Sequence, residues 1–267
     1  MNIPLLGEAL RQQLSAEQLQ WLDAAIDDIK SNAGSQDAQL LYSAMTSRKL
    51  TSKPMLPPQW PFNIDEAARI LLLQTYIDIS GDSRYDTIWQ AYRLGDENEK
   101  AAYIKGLSII DPDGKLLDIA LHTGRTNNIS LFSAIALRNP YPARYYDDRE
   151  FEQLVFKALF LGLNIIYIDS LQQRLHPDLS VKCMDLVRER LAAERRPPVS
   201  IWMAIDIRHL DESSQHLYLT FLNDADKDHR YYSLLALKQL GLSEQYRSQL
   251  QQRQEIETDN MILQLLA

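Results

Sequence analysis

Arg125, Asn128, Asn139, Tyr141, Arg144, Tyr145 and Lys157 are the residues whose types and spacing could do chemistry. All but Lys157 lie in the stretch from Arg125 to Tyr146. Within it, Asn139-Pro140-Tyr141-Pro142 predicts a rigid extended link, because each proline biases its predecessor away from the helical region. Tyr141, Tyr145, Tyr146 and Arg144 cluster on that link. Aromatic side chains and arginine on a preorganised loop suit recognition of a ligand or a partner. The same residues would also serve as a long helix-to-helix connection whose tyrosines cover the core. Lys157 stands on an otherwise apolar helix. Its amine would bind or activate a ligand there, or its long stem would lead the charge out to solvent.

Other chemistries find no support. His209 and His216 are seven residues apart and lack the spacing of a helical zinc pair. Asp111-x-Asp113-Gly114 places its glycine too early for a calcium loop and reads as a turn. Asp27-Asp28 and Asp147-Asp148 have no third aspartate at helical spacing to hold a magnesium-bound diphosphate, and Asp147 or Asp148 fits a helix cap. No Gly-x-Ser-x-Gly elbow occurs. With 9 glycines in 267 residues there is little room for a phosphate-cradling loop. Cys183 lies on an apolar stripe with Leu179 and Leu186, a core position. No cofactor is expected.

The elements that must position these residues are helices. Valine stands only at 155, 181, 187 and 199, and a many-stranded fold needs β-branched residues and turn glycines. Ser15 and Gln18 form a capping-box pattern ahead of the stripe Leu19, Leu22, Ile26 and Ile29. Four prolines between Pro54 and Pro61 exclude helix there. Ile70, Leu73 and Ile77 mark one face of a helix that Leu71 and Leu72 make apolar nearly all round, so it is expected to be buried on several sides. Gly95-Asp96 and the turn at Asp111 to Gly114 break the following segments. A helix over about residues 149–163 carries Phe151, Leu154, Val155, Ala158, Leu159 and Gly162 on one stripe and Phe156 and Phe160 on a second, and is expected at the centre of the packing. Pro177 suits the start of a helix reaching about Ala193, with four more to follow. Arg188, Arg190, Arg195 and Arg196 read as its solvated C-terminal end. Loose periods of about 30 residues suggest an irregular HEAT-like α–α superhelix. Domain boundaries are expected as a helical segment over 1–50, a Pro-rich linker over 51–63 and a helical body over 64–267.

The net charge of -8 argues against nucleic acid. No apolar run is long enough for a transmembrane helix, and the first residues lack a secretory pattern, so a cytoplasmic protein is expected.

Residues Arg125-Thr126-Asn127, Ala134 to Leu137, Asn139 to Arg144, Phe151 to Phe160, Leu175 to Leu179 and Arg188-Glu189-Arg190 together resemble the EboA-like family. Where that family often has asparagine before the glutamine at Gln153, this chain has Glu152. The resemblance implies a helical protein encoded with the enzymes of a secondary-metabolite cluster and engaged in handling or export of a small-molecule precursor. It supplies no catalytic residue. The expected function is an adaptor or binding protein whose partners are proteins of the same cluster or a small hydrophobic metabolite. The alternative is a helical enzyme with its pocket beside the Asn139–Pro142 link.

Overall fold

The computed structural model describes residues 2–55, 60–81 and 83–266. The secondary structure of these residues is helical apart from an isolated bridge between Pro54 and Asn63, so the chain is all-α. It divides into two compact units, Met1–Tyr146 and Asp147–Ala267.

The first unit contains α1 (Ile3–Arg11), α2 (Ala16–Ser31), α3 (Asp37–Lys49), α4 (Ile64–Ser80), α5 (Arg84–Leu94), α6 (Glu97–Ile110), α7 (Leu117–Gly124), α8 (Ile129–Ala136) and α9 (Pro140–Tyr145). Local chemistry sets the starts. Ser15 accepts from the Gln18 backbone while the Gln18 side chain returns to the Ser15 N–H, and Asp96 and Glu99 repeat the exchange before α6. The all-round apolar α4 is the hub, with α1, α2, α3 and α6 packed on it. Gly106 allows α6 to come close, since a Cβ there would stand 2.8 Å from the Ile70 side chain. Arg69, only 1% exposed, donates to Asp65 Oδ2 at 2.8 Å and to the Ser43 carbonyl at 3.3 Å, tying α4 to α3.

Helices of residues 1–50 thus pack inside the first unit. The flanks of the Pro-rich stretch pair with each other. The Met55 N–H donates to the Phe62 carbonyl and the Ile64 N–H to the Lys53 carbonyl, both at 2.9 Å. Met55 and Phe62 are buried. Leu56 to Gln59 of the expected linker lie outside the described residues.

The second unit contains α10 (Asp148–Phe160), α11 (Pro177–Ala192), α12 (Glu212–Thr220), α13 (Lys227–Gln239), α14 (Arg247–Ile256) and α15 (Asn260–Leu266), joined by short 3-10 turns. Asp147 and Glu150 form the capping box of α10, and His176-Pro177 opens α11 with the proline in the first turn. The core centres on Trp202, which packs on Tyr218, Phe221 and His229. Its indole N–H donates to His229 Nδ1 at 2.9 Å. Glu257 ties the last helices together. It accepts from Arg230 at 2.9 and 3.0 Å and from Arg253 at 2.9 Å, and its own turn adds the Thr258 and Asp259 N–H groups.

Two local expectations change. Pro140 and Pro142 do not hold an extended link; they lie in the first turn of α9. First-turn N–H groups have no partner within the helix, so prolines there cost little, and Asn139 supplies the cap. The second stripe of α10 is not core. Phe160 is 79% exposed and Phe156 half-buried, while Phe151, Leu154, Val155, Ala158 and Leu159 face inward.

Candidate functional site

In the first unit the residues picked out by sequence assemble around α9. Asn139 Oδ1 accepts from the Tyr141 N–H at 3.1 Å, and its Nδ2 donates to the carbonyls of Ile104 at 3.0 Å and Ala134 at 2.9 Å. One buried amide thus anchors α9 to α6 and α8. The fully buried Tyr141 donates its hydroxyl to Asp111 Oδ2 at 2.6 Å. Asp111 also accepts from the backbone N–H groups of Lys115 at 3.1 Å and Leu116 at 2.8 Å. Burial, with the bond to Asp111, pushes the Tyr141 hydroxyl far above its ordinary value of 10. The Tyr145 ring lies 4.7 Å from that of Tyr141, and its hydroxyl donates to the Pro112 carbonyl. Gly114 adopts φ +73° beneath the Tyr145 ring, where a Cβ would overlap ring atoms. Tyr146 is buried as well.

The remaining candidates of this unit work at helix ends. Arg125 caps the C-terminus of α7 through its backbone and exposes its side chain. Asn128 accepts from the Leu131 N–H to cap α8, and donates to Glu97 Oε2 at 2.9 Å. Arg144 is exposed in the last turn of α9.

Lys157 belongs to the second unit. There, α10 and α11 leave a groove of about 360 Å³ lined by Phe156, Lys157, Leu159, Phe160, Leu186, Arg190 and Pro198. The hollow is almost wholly hydrocarbon, with Leu159 as a buried part of its wall. Lys157 and Arg190 are its only charged lining residues, and both are half-buried. Burial lowers the Lys157 amine from its ordinary range. Nearby on the same two helices, Glu152 is buried and accepts from Lys182 at 2.6 Å, with His176 Nε2 3.5 Å away. Glu152, where the chain departs from the resemblance drawn above, is thus held by Lys182 of its own unit.

Sequence reasoning picked out Lys157 but missed its neighbours. The signal for Phe156 and Phe160 was present: a second apolar stripe beside a complete first one is more than one buried face requires. Arg190 carried no distinguishing signal, because a cation in the last turn of a helix is expected for the helix's own sake.

A family model described as metabolite traffic protein EboA matches residues 2–206. That span covers the described part of the first unit and every residue lining the groove. No curated protein and no solved structure matches the chain. Among the described residues no helix is long and apolar enough to cross a membrane.

Proposed function

The chain belongs to the EboA family of metabolite traffic proteins, and on that premise we propose that it handles a small molecule by binding it, as a carrier or adaptor working with the enzymes of a secondary-metabolite gene cluster. The observation that carries this reading is the groove between α10 and α11. It is concave and apolar, and its volume of about 360 Å³ suits a small ligand. An exposed Phe160 on its wall supports it too, since a large apolar side chain beside an apolar hollow adds contact area for an occupant.

Titration of the purified protein with N-phenyl-1-naphthylamine, a neutral fluorescent apolar probe, tests it. Saturable binding is expected, weakened at least tenfold by Leu186→Glu, with helicity preserved by circular dichroism. Binding that is unsaturable, or unchanged in that variant, would sink the reading. Lys157 favours a second reading. An amine whose protonated form is destabilised by burial suits base or Schiff-base chemistry. Turnover of a metabolite lost on Lys157→Ala, with folding unchanged, would support an enzyme instead.

A further inference from the structure

The groove has two chemically distinct parts. Its walls are the hydrocarbon of Phe156, Leu159, Phe160, Leu186 and Pro198. Its charged members are both cations, Lys157 and Arg190, and no carboxylate lines it. Elsewhere on or beside these helices cations meet carboxylates: Lys182 pairs with Glu152, Arg188 with Asp185 and Arg174 with Asp148. Among the described residues no carboxylate forms an ion pair with Arg190.

Lys157 and Arg190 each stand in the last turn of their helix, where the terminal carbonyls favour positive charge. That explains a cation in each place singly. It does not require the two last turns to border one apolar hollow. Long cationic side chains lay their stems along such a surface and keep the charged heads at its edge. The result is a hydrocarbon trough with a positive rim.

We propose that this groove binds an amphiphilic organic anion, its apolar body laid against Phe156, Leu159 and Leu186 and its carboxylate or phosphate head held at the rim by Arg190 and Lys157. A volume of about 360 Å³ holds about twelve groups of ~30 Å³ each, the size of a ten-carbon chain with an acidic head. A fork of guanidinium donors matches either head, and a lysine adds a point charge. The proposal rests on the binding reading above and names the class of molecule bound.

The test displaces the neutral naphthylamine probe from the full-length protein with decanol, decanoate, decyl phosphate and decyltrimethylammonium. Decanoate or decyl phosphate should displace it at concentrations at least tenfold below decanol, and the cation should be weakest. Whichever anion is tighter identifies the head. Shortening decanoate by two carbons should weaken it about fifteenfold, at about fourfold per methylene. Arg190→Gln and Lys157→Gln should each cost the anions about fivefold while leaving decanol within twofold, with unchanged thermal melting. Equal displacement by decanol and decanoate would overturn the proposal while leaving the carrier reading intact. So would a preference for the acid that survives both substitutions. Absence of saturable probe binding would remove the carrier reading itself.

Discussion

The α9 segment and the α10–α11 groove are assembled from the same kinds of side chain, aromatics beside arginine or lysine, and use them in opposite ways. Around α9 the polar atoms turn inward. Asn139, Tyr141 and Tyr145 bond to the carbonyls of Ile104, Ala134 and Pro112 and to Asp111. In the groove the rings stay at the surface and two cations border a hollow with no carboxylate in its lining. Buried donors and acceptors must be satisfied, so an aromatic–polar cluster completed by its own protein is a brace. Apolar area left open beside charge is free to meet something else. Residue type does not separate the two cases; the fate of each polar atom and each ring does.

The largest effect that would break this comparison lies at Asp111. Its carboxylate, 1% exposed, gathers the Tyr141 hydroxyl and two backbone N–H groups. Asp111→Ala strands the Tyr141 hydroxyl and the Leu116 N–H in the interior, at ~1–3 kcal/mol for each group left unsatisfied, and releases the N–H of the exposed Lys115. A loss of about 4 kcal/mol is expected by urea denaturation, with probe binding in the groove unchanged once the protein is folded. A loss under about 1 kcal/mol would mean that α9 is not braced through this residue.

Proton linkage separates the units next. Burial pushes the Glu257 carboxyl up, but the bonds from Arg230, the Asp259 and Thr258 backbone and the charge of Arg253 outweigh it and hold the group at about 2 against an ordinary 4.5. A depressed carboxylate contributes stability that is complete above its unfolded value and fades as pH falls from 4.5 towards 2, here about 3 kcal/mol in all. His229 adds to this. Burial, then Arg196, lowers it from an ordinary 6.5, so the unfolded chain takes up the proton first and stability declines as pH falls below 6.5. Tyr141 has the opposite sign. Its raised hydroxyl contributes stability below pH 10 that is lost as pH rises beyond it. Hydrogen exchange read by mass spectrometry should show peptides of α13 to α15 losing protection before those of α9 in acid, and peptides of α9 losing protection only as pH rises above 10. The reverse order would refute these assignments.

A smaller change sharpens the reading of the tyrosine itself. Tyr141→Phe keeps the ring and removes one bond to Asp111, for an expected loss of about 1.5 kcal/mol. Anion and probe affinities should stay within twofold. A fall in binding without a fall in stability would return Tyr141 to the ligand site.

Much of the fold was legible because it is written locally. The Ser15–Gln18 exchange, the turn at Asp111 and the proline at the head of α11 need only neighbours in sequence. The all-round apolar α4 announced its own burial. What sequence alone misread depended on partners distant along the chain. Pre-proline bias suggested an extended Asn139–Pro142 link, yet Asn139 caps a helix there and bonds to Ile104, a residue 35 positions away. Periodicity gave α10 two apolar stripes without telling which one met the core. Lys157 could be singled out as a charge on an apolar helix, whereas its companion Arg190 becomes visible only when α11 is laid beside α10.

The finest test concerns Phe160, where stability and binding should come apart. At 79% exposed, its ring contributes little to the core, so Phe160→Ser should change stability by no more than about 0.5 kcal/mol. A ring that covers part of a bound apolar body gains its burial only on binding, about 1 kcal/mol for some 40 Å² covered at ~25 cal/mol per Å². Affinity for both decanol and decanoate should therefore fall about fivefold, in parallel, because the ring meets the hydrocarbon and not the head. Denaturation and probe displacement on the same preparation measure both. A destabilisation above 1.5 kcal/mol with unaltered affinity would make Phe160 part of the fold, like Tyr141, and would close the difference between the two regions.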